Sequence, residues 1–243
     1  MKQKKKMQLF WACFIALTAT SFGFMLRAML ITEWSVEFNL TKTQMGQIMG
    51  VGLWPFAVSI ILFSLIIDKI GYSWSIAIAF LFHISSMIIT LLASSYFTLY
   101  LGTLIFALGN GVVEATINPA VASLFPNEKS KWLNKLHAGW PGGMVIGGII
   151  VIAMGESIQW QYKIAIMLVP MLLYGFLMIG KRFPVQERVA AGVSYREMLQ
   201  ELGYIGALII FSLIVFEVGN FFHWSILVKI LLIVALTGPF ALY

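Results

Sequence analysis

The sequence predicts an all-α fold, a polytopic bundle of transmembrane helices in which two further helices follow a first bundle of six. Of the 243 residues, 60% are hydrophobic and only 11% are charged, whereas about 25% of the residues of a soluble domain are charged. The mean hydropathy is +0.91. Apolar runs long enough to cross a bilayer recur along the chain, which leaves no room for a separate soluble domain.

The chain opens with a basic segment and a long apolar run. Residues 1–6 carry four lysines, and no charged residue occurs from Met7 to Leu26. A secretory signal has the same pattern, but no small-x-small cleavage motif follows, and the apolar stretch continues to Leu30. The sequence therefore predicts a basic tail over residues 1–8 and an uncleaved first helix. The single cysteine, Cys13, lies inside this helix, which excludes a disulfide framework.

Apolar runs between charge clusters predict eight membrane spans, numbered here 1 to 8. They cover residues 9–31, 44–67, 73–93, 97–121, 137–155, 162–180, 203–221 and 226–243. A polar stretch separates the sixth span from the seventh. The predicted domains after the basic tail are therefore a six-helix bundle (9–180), a cytoplasmic linker (181–202) and two further spans (203–243). Trp54-Pro55 predicts a kink in span 2, because proline lacks the backbone N–H.

Basic residues concentrate in every second connection. Besides the N-terminal tail, these connections hold Lys69, Lys129, Lys131, Lys135, Lys181, Arg182, Arg188 and Arg196, whereas the others hold Lys42 and Lys163. Because cytoplasmic loops carry the excess of Lys and Arg, we predict a multi-pass protein of the plasma (inner) membrane with a cytoplasmic N-terminus. Basic residues spread in this way do not form the single patch that binds nucleic acid, so no nucleic-acid partner is expected.

Small residues recur at helical spacing in three spans. A spacing of four or seven residues places these glycines on one helix face, and close backbone approach is the main source of helix association in lipid. The glycines are Gly46 and Gly50 in span 2, Gly102 and Gly109 in span 4, and Gly139, Gly143 and Gly147 in span 5. Helix packing is the favoured interpretation. The alternative is that these smooth contacts let helices slide during transport.

Glu114 is the most informative polar residue, because it ends a charge-free run of 44 residues inside span 4. A carboxylate at that depth costs about 2.5 kcal/mol or more, so it should face a cavity or a partner. Asn110 and Asn118 lie one turn before and after Glu114, which predicts a polar stripe along one helix face. Pro119 should bend or loosen the helix just beyond it. The stripe indicates a proton-binding group, and a buried structural glutamate is the alternative.

Other polar residues leave alternatives open. Arg27, late in span 1, either pairs with Glu114 across a central cavity or extends to the outer interface. His83 in span 3 is either a proton relay or, as we favour, a histidine satisfied by its neighbours. Glu217 and His223, in and after span 7, are secondary candidates without a visible partner.

The segment Asp68-Lys69-Ile70-Gly71 ends span 2. An aspartate there accepts hydrogen bonds from the start of a neighbouring helix, whose positive end favours an anion, and Gly71 allows a tight reversal. Such a contact would close an inner gate and break when the gate opens. A simple capped loop is the alternative.

Enzymatic motifs are missing from the sequence. It contains no glycine-rich phosphate loop, no His-Glu-x-x-His motif and no paired cysteines. A membrane enzyme is therefore the poorer interpretation, and no cofactor or metal is expected.

Three motifs together resemble a known family. Asp68-Lys69-Ile70-Gly71 after the second of six helices, with a long linker after the sixth, resembles the N-terminal half of a major facilitator superfamily transporter. The run from Gly109 to Pro119 (GNGVVEATINP) and the run from Leu133 to His137 (LNKLH) resemble the fucose permease group of sugar:proton symporters. The resemblance covers residues 9–180.

The resemblance implies roles for individual residues. It implies that Glu114 takes part in proton coupling and that Asn118, Asn134 and His137 belong to a solute site with Asn110. Trp140 falls where the group can place a polar sugar ligand, and its ring could instead stack on a sugar face. The acid that the group carries in the first helix is replaced by Ala28 beside Arg27, which indicates an anionic solute such as a sugar acid.

The short last span indicates whether the chain needs a partner. Only 14 residues follow Lys229, roughly 21 Å of helix. Either the chain stops inside a longer transporter, or span 8 begins before Lys229. We expect a secondary transporter that moves a small polar solute with protons, and that needs a missing C-terminal half or a second subunit as partner besides the lipid bilayer. The rival from another class is a non-transporting scaffold or an inactive fragment, which uses its glycine faces to bind helices.

Overall fold

The computed structural model describes residues 3–242, and the all-α prediction is confirmed for them. They contain no β-strand. Short 3-10 turns cover Pro126–Glu128 and Gly238–Leu242. The α-helices are α1 (Gln3–Glu37), α2 (Lys42–Val51), α3 (Trp54–Leu91), α4 (Tyr96–Leu124), α5 (Lys129–His137), α6 (Gly139–Met154), α7 (Trp160–Ala165), α8 (Leu168–Met178), α9 (Glu187–Ala190), α10 (Tyr195–Phe221) and α11 (Ile226–Thr237).

Six helical stretches of the described chain are long and apolar enough to cross a membrane. The stretch Lys42–Leu91 has 50 residues, about 75 Å at 1.5 Å per residue, which is enough for two crossings. It reverses at Gly71, where φ is 81° and ψ is 158°, so spans 2 and 3 lie on either side of this bend. α2 ends before the predicted kink, and α3 begins at Trp54. Span 8 corresponds to the shorter apolar helix Ile226–Phe240.

The first helix is longer than the predicted span. α1 begins at Gln3 and has 35 residues, about 52 Å, so the described part of the basic tail is helical. Lysine and glutamine are good helix formers, and nothing in the tail interrupts the helix. Residues 1 and 2 lie outside the described residues.

The chain divides into two compact units, Met1–Glu187 and Arg188–Tyr243. In the first unit, α1 packs against α4, α6 and α8, and the two halves of α3 pack along α4. In the second unit, α10 packs against α11. Helix α11 begins at Ile226, three residues before Lys229, so span 8 starts before that lysine. The Lys229 ammonium is buried and donates a hydrogen bond to Asn220 Oδ1.

Glycines let the helices of the first unit approach closely. A Cβ on Gly143 would lie 2.5 Å from the Thr18 carbonyl oxygen of α1, and a Cβ on Gly111 would lie 2.5 Å from the Phe56 carbonyl oxygen of α3. Gly102, Gly109, Gly139 and Gly147 likewise face a neighbouring helix within 3.2 Å, which confirms the packing interpretation for the glycines of spans 4 and 5. A Cβ on Gly46 or Gly50 would have no atom within 4 Å, so the packing prediction is wrong for span 2 within this chain.

Two neighbouring glycines of α6 provide a matched test. Gly143→Ala should lower the free energy of unfolding by about 1–3 kcal/mol, because the new methyl group meets the α1 backbone. Gly142→Ala should be neutral or slightly stabilising, because a Cβ there would have nothing within 4 Å and alanine favours helix. The midpoint of thermal unfolding in detergent measures both changes. Equal midpoints for the two variants would contradict the close α1–α6 contact.

Candidate functional site

Glu114 lies inside the first unit, in the middle of α4. Its side chain is 7% exposed, and its Oε2 accepts a hydrogen bond of 2.8 Å from Asn118 Nδ2, one turn along the helix. None of the ion pairs formed within residues 3–242 includes Glu114. The carboxyl group therefore has an amide as its hydrogen-bond partner and, among the described residues, no cation at ion-pair distance.

Asn118 is bonded on one side only. Its Nδ2 donates to Glu114, but its Oδ1 is buried without a hydrogen-bond partner. A buried amide oxygen without a partner costs about 1–3 kcal/mol, so this atom is available to a donor. α4 continues as one helix through Pro119, which is exposed, to Leu124. The predicted loosening therefore does not interrupt the helix.

The ends of α5 and α6 bring further predicted residues toward Glu114. His137, the last residue of α5, lies close enough to Glu114 to interact with it electrostatically. Trp140, in the first turn of α6, packs its ring 5.9 Å from the Phe56 ring of α3. Asn134 is exposed one turn before His137 on α5. Glu114, Asn118 and His137 thus form the centre of the candidate site.

Asn110 is turned away from this centre. Its Oδ1 lies 3.0 Å from His83 Nε2, and His83 Nδ1 lies 2.8 Å from the Tyr174 hydroxyl. A neutral imidazole protonated on Nε2 donates to Asn110 and accepts from Tyr174, so both hydrogen bonds are satisfied. The interpretation of His83 as a histidine satisfied by its neighbours is confirmed. The predicted polar stripe is therefore divided: Asn110 bonds to His83, whereas Glu114 and Asn118 bond to each other.

Arg27 follows neither of its two predicted alternatives. Its guanidinium is 3% exposed and donates to Ser86 Oγ at 2.9 Å and Thr90 Oγ1 at 3.3 Å, both on α3. It also lies 4.0 Å from the centroid of the Phe106 ring. Hydroxyl groups and an aromatic face thus take the place of the predicted Glu114 partner, because this side of α1 faces α3 and α4 rather than a central cavity.

A small cleft lies beside Arg27. Its lining residues come from α1, α2, the break before α3, and α4: Phe24, Arg27, Ile48, Met49, Gly52, Thr103 and Phe106. The hydroxyl group of Thr103 donates to the Leu99 carbonyl oxygen within its own helix. With Phe24, Ile48, Met49 and Phe106 in its lining, the cleft is mainly apolar, and Arg27 directs its charge toward α3.

Gly71 makes the predicted reversal. Its φ of 81° lies in the left-handed region of backbone conformation. Residues other than glycine adopt this conformation only at a cost in free energy. Asp68 is half-buried in the last turn before the bend. Gln186, which was not singled out from the sequence, donates from Nε2 to the Ile67 carbonyl oxygen at 3.1 Å.

Sequence reasoning missed contacts between residues far apart in the chain. Tyr174, the partner of His83, looks like one more aromatic residue of an apolar run. At the other end of α1, Lys163 is 2% exposed and pairs with Glu33 at 2.6 Å. Glu217 and His223 lie in the second unit, where His223 is exposed with φ 56° after α10. Within the described residues, no three His, Cys, Asp or Glu side chains are grouped closely enough to hold a metal ion.

The chain was compared with models of known protein families. A model of the Major Facilitator Superfamily matches residues 12–243. The chain belongs to the Major Facilitator Superfamily. The predicted resemblance to the superfamily is thereby confirmed, and the matched region includes α10 and α11. The evolutionary assignment is to a family of membrane transporters rather than to an enzyme family.

Individual relatives of the superfamily are distant. A hexuronate transporter of Bacillus subtilis (strain 168) is 24% identical over 142 residues, which are 58% of this chain and 34% of that protein. A crystal structure of the peptide transporter POT with sulfate aligns with a TM-score of 0.65 at 14% identity, over 88% of this chain and 51% of that one.

A crystal structure of a D-xylose-proton symporter aligns with a TM-score of 0.59 at 15% identity, over 85% of this chain and 57% of that one. These two structural likenesses show the fold. The chain spans about a third of the length of the hexuronate transporter and about half of each solved transporter.

The His83 network can be tested by removing one hydroxyl group. Tyr174→Phe should lower the free energy of unfolding by about 0.5–2 kcal/mol, because His83 Nδ1 loses its partner in the apolar interior. Tyr162→Phe is the matched control, since Tyr162 is 64% exposed. Thermal unfolding in detergent measures both. If Tyr174→Phe unfolds at the wild-type temperature, the hydroxyl group does not support the network.

Proposed function

We propose that this chain forms the first half of a secondary transporter, which moves a sugar or sugar acid together with protons by alternating access. Membership of the superfamily supports transport of a small solute across the lipid bilayer. The names of the hexuronate transporter and the D-xylose-proton symporter support a sugar-type solute. The observation that carries proton coupling is Glu114, buried in α4 with a single amide donor.

Glu114 can exist in two protonation states with little change in structure. As a carboxylate, it accepts the Asn118 amide N–H. As a carboxylic acid, it would donate to Asn118 Oδ1 once the amide turns over, since one amide carries both a donor and an acceptor. That oxygen has no other partner. Asn118 can therefore stabilise either state, as a residue beside a proton-binding site must.

The site proposed for the solute adjoins the proton-binding group. It contains Asn118, Asn134, His137 and Trp140, which lie on α4 and on the helical stretch 129–154. An aromatic ring such as Trp140 presents an apolar face to the C–H groups of a sugar, while amide and imidazole groups bind hydroxyl groups. Arg27 and Asn110 are left out of this site, because their side chains bond to α3 inside the bundle.

Replacing the Glu114 carboxyl group tests the coupling. In the complete transporter that contains this chain, Glu114→Gln should abolish pH-dependent accumulation of solute and spare exchange, because the amide cannot bind a proton but can keep the contact with Asn118. Uptake and counterflow in proteoliposomes, with radiolabelled glucuronate and xylose as probes, measure the two activities. Glu156→Gln, in an exposed loop, is the control. Equal loss of accumulation and exchange at normal expression would indicate a structural role for Glu114.

Trp140 tests the position of the solute site. Trp140→Ala should raise the half-saturating solute concentration several-fold with a smaller change in maximal rate, because it removes a binding surface and no charge. Trp140→Phe should restore most of the affinity. Initial rates of uptake over a range of solute concentrations measure both. Unchanged half-saturation in Trp140→Ala would place the solute elsewhere.

One observation favours the alternative of a helix-binding scaffold. A Cβ on Gly46 or Gly50 of α2 would meet no described atom outside its own helix within 4 Å, so a further helix can approach α2 closely at these two positions. A scaffold predicts that Glu114→Gln is tolerated and that Gly50→Leu abolishes assembly with a partner. Gly143→Leu, in contrast, does not separate the two functions, because Gly143 packs inside the bundle.

A further inference from the structure

The start of the linker is folded onto the first unit. Three of its residues contact two elements of that unit: Phe183 packs against Tyr72 and Gln186 donates to the Ile67 carbonyl oxygen, both in α3, and Glu187 pairs with Lys129 of α5 at 2.9 Å. The boundary between the two units falls directly after these contacts, at Glu187. The linker is therefore not uniform along its length.

The Gln186 contact is made at a break in a helix. A helix end leaves its last four carbonyl groups without the full set of intrahelical partners, and Ile67 is four residues before Gly71, where α3 reverses. The Gln186 amide supplies a donor to one of these carbonyl groups at 3.1 Å. The same amide nitrogen would lie 3.7 Å from a Cβ on Gly71, so it sits against the bend itself.

An apolar cluster supports the contact. Ile67 and Tyr72, on the two sides of the bend, and Ala120 of α4 form a small buried core against which Phe183 packs. The Phe183 and Tyr72 ring centroids are 5.9 Å apart. The ion pair of Lys129 and Glu187 is half exposed and contributes little by itself. The apolar contact and the Gln186 hydrogen bond are therefore the main sources of attachment.

We infer that Gln186 is a positioning residue that clasps the start of the linker to the Gly71 bend, so that residues 183–187 are held by the first bundle. The clasp also holds the Asp68–Gly71 segment, which is the predicted gate, in one position relative to α4 and α5. This inference stands independently of the proposed transport activity, because it concerns only contacts inside the first unit.

Limited proteolysis tests the clasp. The segment 181–186 has no regular secondary structure and Arg182 is exposed, so we expect the attachment at Phe183 and Gln186, rather than a fold of the segment, to restrain cleavage by trypsin after Arg182. In the detergent-solubilised full chain, Gln186→Leu should increase the rate of cleavage after Arg182 about tenfold, because cleavage follows the population of the locally open form. The same change at Gln159, in an exposed loop at the other end of the bundle, should leave the rate at wild type. An unchanged rate in Gln186→Leu overturns the inference.

A pH-dependent variant separates the hydrogen bond from simple packing. Gln186→Glu keeps the size of the side chain, but at pH 7.5 an ionised carboxylate cannot donate to Ile67, whereas near pH 4 the protonated acid can. A spin label on Val185→Cys, which is 64% exposed, reports mobility when Cys13 is replaced by Ala. We expect the label to be mobile at pH 7.5 and immobile near pH 4 in Gln186→Glu, and immobile at both pH values with Gln186. Immobility at both pH values in Gln186→Glu overturns the clasp, because packing alone would then hold the linker, and mobility at both values also overturns it, because restoring the donor would not restore the attachment.

Discussion

The whole first unit depends on the requirement that polar groups at membrane depth find partners inside the protein. Lipid offers no hydrogen bonds, so each buried amide, hydroxyl or charge must be satisfied by a neighbouring helix. Arg27 meets this requirement in part, through Ser86 and Thr90 on α3, while its Nε has no hydrogen-bond partner among the described residues. Asn110 meets it through His83. These cross-links tie α1, α4 and α8 to the second half of α3, whereas buried threonines such as Thr116 bond to carbonyl groups of their own helix.

Glu114 and Asn118 form a buried pair whose hydrogen-bonding groups are not all satisfied. Their hydrogen bond leaves one amide oxygen without a partner and the carboxyl group without a cation. A folded chain retains such an incompletely satisfied pair at a cost in stability, and functional sites are where such costs are commonly kept. The proposed coupling explains why this cost is retained, because a proton on Glu114 or a donor group of the solute would complete the hydrogen bonds of the pair.

Glycine contacts determine how rigid the unit is. α4 approaches the first half of α3 at Gly111 and the second half at Gly109, and α6 approaches α1 at Gly143. Contacts of backbone on backbone leave no space for one helix to slide past another without separation. The interpretation in which these glycines permit sliding during transport is therefore less suited to the structure than a bundle that moves as one body. The bend at Gly71 and the clasp by Gln186 extend that body to the start of the linker.

Local patterns in the sequence were sufficient to predict the helices, the reversal at Gly71 and the packing role of most glycines. Helix length, hydropathy and backbone freedom are properties of short segments, so a single sequence reveals them. The superfamily could also be recognised, because its motifs are short and continuous. Glu114 was conspicuous for the same reason, as a carboxyl group that ends a long uncharged run.

Only the tertiary structure decided which polar groups meet. Arg27 was expected opposite Glu114 or at the interface, and it lies instead against Ser86 and Thr90, some 60 positions along the chain. Asn110 and Glu114 share a face by spacing, yet their side chains bond differently, because Asn110 meets His83 on α3 whereas Glu114 meets Asn118 on its own helix. Partner choice depends on the rotation of each helix about its axis, which is set by the packing of all the helices together and leaves no signal in any one segment.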